Sequence, residues 1–366
     1  MKLCFLANID DNHCRKWIGY FADRGYEIHL LSRPSEHIRE LQRPNIAFYP
    51  LRISRVKFLD VVLNVVRVRK LVRKIKPDVA HALYAGVSGM LGSLSGFHPF
   101  VVTAFGSDIL INSKSGLLRP FVRFMLNKAD LVTCNGQTLF DEMLKLGVSP
   151  SKIRFIYWGT DVEKFKPGPK NKRMREELGI FDAPLVISIR DLEPVYDVET
   201  LVRAIPIVLG EIKEAKFLIA GRGSLKKKLE DLAQGLNVSD SIRFAGWLPE
   251  GELPRYLNSS DVYVSTSLSD GDLSQSTQQA MACEVPVVIT ALAVNEKRVS
   301  DGLSGLLFPL RNHALLALKI VTLLKDEKLR IILGKAGREV IATDLNYFKN
   351  MEEAENLYRE LGGLKK

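Results

Sequence analysis

SDVYVSTSLSDGDLSQSTQQAMACEVPVV, Ser260 to Val288, reads as four consecutive pieces of structure. DVYVST is a short β-branched and aromatic run of the kind that fills a buried strand. The stretch Ser269, Asp270, Gly271, Asp272, Leu273, Ser274 is rich in turn and capping residues, and the residues that follow, with Gln278 and Gln279, read as a helix. VPVVIT is a second strand. Strand, turn, helix, strand is the repeating unit of a parallel sheet covered by helices.

Outward from this stretch the same alternation continues. KLCFLA, EIHLLS, IAFYPL, DVAHAL, FVVTAF and DLVTCN read as strands in the first half; PLVISIR, AKFLIAG, SIRFAG and GLLFPL join the two above in the second. Two such sets, in a chain of 366 residues, predict an α/β protein of two doubly wound domains. The boundary is expected where IRFIYWGTDVEKF gives way to the Pro, Gly and Lys-rich run from Lys166 to Lys172. Residues 1–165 then form the first domain, 166–342 the second, and the C-terminal helix, 343–366, is expected to pack back on the first. In such folds ligands gather at the carboxyl ends of the strands.

Hydrophobic content of 46% and charged content of 26% are those of a globular protein. The N-terminal apolar run stops at Asp10 and Asp11, too soon for a signal peptide, and no run approaches the roughly 18 apolar residues of a membrane span. Cys4, Cys14, Cys134 and Cys283 form no CxxC pair, which argues against a zinc site or a disulfide framework and for a cytoplasmic setting. The net charge of +10 lies wholly in residues 1–165, with 24 Lys and Arg against 14 Asp and Glu; residues 166–366 carry 28 against 28. Its densest part, Arg52 to Lys76, has Val62, Val65, Val66, Val68, Leu71, Val72 and Ile75 at helical spacing among the cations. That pattern fits a domain helix with a solvated basic face, or a helix that meets an anionic membrane surface at the inner face of a membrane. Nucleic acid is the least favoured partner, since no binding motif accompanies the charge.

Three further turns carry candidate chemistry. In ANIDDNHCRKW, His13 follows the first strand, and Arg15 and Lys16 open a helix whose N-terminus suits an anion. In TAFGSDIL, Ser107 and Asp108 follow a strand end, where the turn is expected to leave a carboxylate at the mouth of the site. LIAGRGS places Gly221, Gly223 and Ser224 between strand and helix, a Gly-x-Gly turn that falls short of the dinucleotide fingerprint.

Taken in order, these segments resemble the retaining glycosyltransferase family 4, two-domain enzymes of the GT-B fold whose Rossmann-like domains face a central cleft. The resemblance rests on NHCRKW, HALYAGVSGMLGSLSG, TAFGSDIL, KADLVTCN and IYWGTDVEKFKPG, then on IRDLEPVYDVETLVRAIP, FLIAGRGS, RFAGWLP, residues 260–288 and VSDGLSGLLFPL. It implies transfer of a sugar from a nucleotide-sugar donor to a glycan, lipid-linked or small acceptor, with retention, no metal and no cofactor. It also implies that basic groups and a helix N-terminus stabilise the departing diphosphate. Carried over position by position, the catalytic candidates are Arg190, Asp270 and Lys297. The donor candidates are Gly221, Gly223, Ser224, Gly246, Ser269, Gly271, Asp272, Leu273, Ser274 and Gln279, and the acceptor candidates are His13, Arg15, Ser107 and Asp108.

The sequence also departs from the family. The two acids of the long motif fall on Gly271 and Gln279 and its glycine on Glu284; the diphosphate-gripping Arg and Lys fall on Asp191 and Tyr196; a further Glu falls on Lys297. Asp270, in a Ser-Asp-Gly turn that some relatives share, is expected to take the duty of the first acid, and Arg190 that of the cation. An active glycosyltransferase is the favoured reading. A catalytically weak or inactive relative acting as a binding subunit stands second, and a sugar-nucleotide epimerase or a phosphorylase third.

Overall fold

The computed structural model describes residues 1–52 and 57–363. The chain divides into two compact units, Met1–Trp158 with the chain from Phe348 onward, and Gly159–Tyr347. The second unit begins earlier than the Pro and Lys-rich run because residues 160–165 are already tied to its last long helix, Glu327–Asp344. Thr160 N donates to Leu345 O at 2.7 Å, and the Arg338 guanidinium to Phe165 O at 3.2 Å.

In the first unit β1 (Lys2–Ala7), β2 (Glu27–Ser32), β3 (Ile46–Pro50), β4 (Val79–Leu83), β5 (Phe100–Thr103), β6 (Leu131–Cys134) and β7 (Ile153–Phe155) form one parallel sheet in the order β3-β2-β1-β4-β5-β6-β7. The inner strands β1, β4, β5 and β6 are buried on both faces, as continuous apolar runs must be when helices cover a parallel sheet, while the edge strands β3 and β7 are part-exposed. The second unit repeats the plan with β8 (Leu185–Ile189), β9 (Lys216–Ala220), β10 (Ile242–Gly246), β11 (Val262–Ser265), β12 (Val287–Thr290) and β13 (Leu306–Phe308), ordered β10-β9-β8-β11-β12-β13. Chain order reverses between β1 and β4 and between β8 and β11. These two switch points are where such sheets bind ligands.

The C-terminal helix, Tyr347–Gly363, closes the first unit through a buried polar chain. Trp17 Nε1 donates to Tyr358 Oη at 2.9 Å, Tyr358 Oη meets His81 Nδ1, and His81 Nε2 lies 2.7 Å from Thr103 Oγ1, which reaches Thr133 Oγ1 at 2.7 Å. Burial alone pulls the His81 imidazole from 6.5 down to about 3. The unfolded chain therefore takes up a proton below pH 6.5 that the folded unit refuses until about pH 3. Stability contributed by neutral His81 is complete above pH 6.5 and is lost as pH falls, at about 1.4 kcal/mol per pH unit. Urea midpoints measured from pH 7 to pH 4 should show this slope in the wild type and a shallower one in His81→Gln; equal slopes would contradict it.

The basic helix Lys57–Ile75 splits its apolar residues between two environments. Val68, Val72 and Ile75 enter the core, while Val62, Leu63 and Val66 stay exposed. Residues 53–56 of the Arg52 to Lys76 segment lie outside the described residues. Among the described residues, no helix is long and apolar enough to cross a membrane.

Candidate functional site

At the switch point of the second unit, Arg190 leaves the end of β8 and the 266–274 loop leaves β11 beside it. The loop's last residue, Ser274, caps the helix Gln275–Ala282 by accepting from Thr277 N, so the first turn of that helix starts at a fixed place. Tyr263, from β11, meets Ser276 Oγ at 2.8 Å. Arg190 Nη1 reaches the same hydroxyl at 3.4 Å, and Nη2 forms an ion pair with Asp270 Oδ1 at 2.6 Å. The guanidinium lies over the Tyr196 ring, 4.4 Å from its centroid. Both partners of the pair are about nine-tenths buried, and Arg190 Nε, also buried, has no hydrogen-bond partner among the described residues. Burial pushes the Asp270 carboxyl above its ordinary value, opposed by the charge and hydrogen bond of Arg190. The result is a desolvated cation fixed at a helix N-terminus, a geometry that suits a phosphate or diphosphate.

The Gly-x-Gly turn has a packing reason. Gly221 and Gly223 have φ of +154° and +158°, and a Cβ on them would meet Arg190 O at 2.2 Å and Leu192 O at 2.3 Å. The two glycines therefore let the loop after β9 lie against the loop after β8, where Leu192 N donates to Arg222 O at 2.8 Å. Ser224 is held by Glu193, which accepts from its hydroxyl at 2.6 Å and its amide at 2.8 Å. These two bonds hold the Glu193 carboxyl below its ordinary value. Gly246, at the end of β10 with φ +68°, accepts from Gly221 N. Next to it the exposed Trp247 ring lies under the Arg222 guanidinium at 5.6 Å.

Other candidates in this unit are placed less favourably. Ser269 and Gly271 are exposed, and a Cβ on Gly271 would meet nothing within 4 Å, so no packing demands a glycine there. Leu273 and Gln279 are buried, and the Leu273 carbonyl accepts from Gln278 Nε2 at 2.7 Å. Lys297 is exposed; its neighbour Arg298 is the residue that turns inward, pairing with Asp272 at 3.5 Å.

Glu284, at the family's glycine position, has φ +60° directly after the helix Gln275–Ala282. That left-handed conformation is what glycine supplies at a helix end and what another residue adopts at a cost of about 1 kcal/mol. The Arg338 contact of the Glu284 carboxylate is long, 4.0 Å, and part-exposed, worth little in offset. Glu284→Gly is expected to raise the melting temperature of the second unit by about 2 °C, read by calorimetric scanning; a fall would mean that the carboxylate matters more than the backbone.

In the first unit Asp11 caps the first helix, Asn12–Asp23, accepting from His13 N at 2.7 Å and Cys14 N at 3.2 Å. Arg15 is engaged inside the unit, bonded to Ile9 O at 2.7 Å and Asp10 O at 2.9 Å and paired with Glu40 at 2.8 Å. Ser107 is exposed. Asp108 requires a correction: it is fully buried and presents no carboxylate to an acceptor. Its oxygens accept from the backbone amides of Ala85, Phe105, Gly106 and Ile109 at 2.7–3.1 Å, locking the loop after β5 to the loop after β4. Burial raises this carboxyl while the four amides oppose the shift.

Around the β1/β4 switch point four of the quoted segments bring together an aromatic group. His13 lies 4.8 Å from Trp158, Phe105 lies 4.7 Å from Trp158, and Tyr84 lies 5.7 Å from Phe105, ring centre to ring centre. Tyr84 holds φ +102°, a strained backbone of the sort that collects at functional sites. Among the described residues, no three His, Cys, Asp or Glu side chains gather as a metal-holding group.

Comparison with known proteins covers both units. The family described as "Glycosyl transferases group 1" matches residues 170–340, and "Glycosyl transferase 4-like" matches residues 2–136. The chain is 24% identical over 352 residues to N-acetyl-alpha-D-glucosaminyl L-malate synthase of Bacillus anthracis, covering 93% of this chain and 91% of that one. It is also 24% identical over 356 residues to the Escherichia coli UDP-Gal:alpha-D-GlcNAc-diphosphoundecaprenol alpha-1,3-galactosyltransferase, covering 92% and 89%. The solved structure of the Anabaena protein HepE in complex with UDP superposes with a TM-score of 0.81 at 17% identity, over 99% of this chain and 100% of that one.

Proposed function

Because the chain belongs to the group 1 glycosyltransferases, family 4 in type and GT-B in fold, we propose that it moves a sugar with retention from a nucleotide-sugar donor bound on the second unit to an acceptor bound on the first. The acceptor is a polysaccharide, a glycolipid or a small hydroxyl compound. The observation that carries the reading is Arg190, buried, fixed by Asp270 and set against the first turn of the helix Gln275–Ala282. Breaking a sugar–diphosphate bond leaves negative charge on the diphosphate and oxocarbenium-like charge on the sugar. A preoriented guanidinium and unpaired helix N–H groups stabilise the former without reorganising. The reading needs no resident metal or cofactor, since Arg190 supplies the cation.

Names of similar proteins support it in part: HepE was solved with UDP, and the Escherichia coli relative takes UDP-Gal and a lipid-linked diphosphate acceptor. The exposed Trp247 ring beside Arg222 offers a stacking face for a nucleotide base. The basic helix and its exposed valines favour a place at the cytoplasmic face of a membrane.

The alternative, a binding subunit without activity, draws on Asp191 and Tyr196 standing where the family has its cation pair. Calorimetric titration with UDP, GDP, ADP and CDP, followed by donor hydrolysis assays with the corresponding sugars, separates the two. Micromolar binding of one nucleotide with slow donor hydrolysis supports the enzyme reading. Absence of binding across the panel would overturn it.

A further inference from the structure

The first unit contains a cavity of about 280 Å³ that the donor chemistry does not use. It opens among the loop after β4, the loop after β5, the start of the basic helix and the helix Arg119–Lys128. Ala85, Val87, Met90, Leu118, Phe121 and Met125 give its character. Among the described residues lining it, Asn112 has the one polar side chain, and its amide is tied back to Asp108 O at 3.0 Å. The volume falls near the lower end of the roughly 300–1,000 Å³ common for small-molecule sites. The cavity stands beside β4, at the carboxyl edge of the sheet where the switch-point rule puts a ligand.

The rim of this cavity has an unusual composition. Phe121 and Val87, which line it, are exposed at 53% and 51%, and Ile111, Leu117, Phe124, Val62 and Val66 are exposed in the same stretches of chain. Residues 109–128 carry Lys114, Arg119, Arg123 and Lys128 and no acid; residues 61–76 carry six Lys and Arg and no acid. Exposed apolar side chains interleaved with cations, with Asp60 as the acid of the basic helix's first turn, suit one kind of environment, an apolar phase bounded by negative charge.

We propose that this cavity takes the hydrocarbon chain of an acceptor lipid with an anionic headgroup. The proposal rests on the glycosyltransferase reading for the word acceptor and deepens it by fixing the acceptor's class. The chain enters between Val87 and Phe121, the net positive charge of the two lining helices attracts the headgroup phosphate, and the hydroxyl or phosphate to be glycosylated stays near the β1/β4 switch point. Burial of methylene groups supplies affinity that grows with chain length.

The test uses the full chain and defined amphiphiles below their micelle concentrations. Dodecyl phosphate, butyl phosphate and dodecyl maltoside are titrated calorimetrically at low salt, and UDP, GDP, ADP and CDP are titrated separately. Dodecyl phosphate is expected to bind at least 30-fold more tightly than butyl phosphate, with a negative heat-capacity change, and at least tenfold more tightly than dodecyl maltoside. Leu118→Glu with Phe121→Glu should lower the dodecyl phosphate affinity at least tenfold, with melting temperature and nucleotide affinity unchanged. Val87→Trp, which fills the mouth without adding charge, should do the same. Equal affinity for the two phosphates, or dodecyl binding that survives both variants, would overturn the chain site; equal binding of dodecyl maltoside would overturn the anionic headgroup. Nucleotide binding without a chain preference removes the lipid proposal and leaves the glycosyltransferase reading standing. A chain preference without nucleotide binding keeps the chain site but removes the glycosyltransferase reading, and overturns the lipid's role as acceptor with it.

Discussion

Arg190→Ala is expected to weaken binding of the preferred nucleoside diphosphate about 30- to 100-fold and to destabilise the second unit by about 3 kcal/mol. The first effect is the loss of one or two charge-assisted hydrogen bonds to phosphate, each worth about 1.5–3 kcal/mol in a desolvated site. The second comes from Asp270, whose carboxylate is left buried without its cation. The two effects separate in a double-mutant cycle. Arg190→Ala with Asp270→Ala should recover most of the stability, because no lone charge remains, and none of the affinity, because no cation remains. Calorimetry reads the affinity and urea denaturation the stability. Affinity that the single variant leaves intact would remove Arg190 from the diphosphate site and return weight to the binding-subunit reading.

The sheets were legible in the sequence because the strands are short apolar runs bounded by turn residues, and burial of the inner strands on both faces permits no other pattern there. Arg190 and Asp270 were legible only as separate positions; their ion pair links residues 80 apart in the chain, and no local pattern encodes it. The buried chain from Trp17 through Tyr358, His81 and Thr103 to Thr133 was not legible at all, since its members look like ordinary core residues on five separate elements. Tyr84, Phe105 and Trp158 stand at the ends of three different strands and form a group only when β4, β5 and β7 share one sheet.

Two side-chain directions were also not legible. Asp108 has the look of a helix-opening acid, yet the loops after β4 and β5 bring four amides onto it, and the carboxyl accepts from all four by turning inward. Lys297 and Arg298 differ by one position, about 100° around a helical turn, and the sequence alone does not fix that phase. In each case the residue type was read correctly, and the direction of the side chain, which depends on distant partners, was not.

Gly221→Ala is expected to cost the second unit about 3–5 kcal/mol and to abolish nucleotide binding at micromolar concentrations. The glycine holds φ +154°, and its Cβ would stand 2.2 Å from Arg190 O, 2.9 Å from Arg190 C and 3.1 Å from Asp191 Cα. All three are backbone atoms, so no side chain can swing aside. The methyl must push the end of β9 away from the end of β8, where Ile189 pairs with Ala220, and the residue displaced is Arg190 itself. Stability and affinity fall together because one clash disturbs both the sheet edge and the cation. Gly271→Ala supplies the contrast: with open space around its Cβ, it should leave melting temperature within about 1 °C of the wild type and nucleotide affinity within threefold. A Gly221→Ala protein that melts and binds like the wild type would show that the loops after β8 and β9 can separate freely, and the rigid placement of Arg190 on which the donor-site reading depends would fall with it.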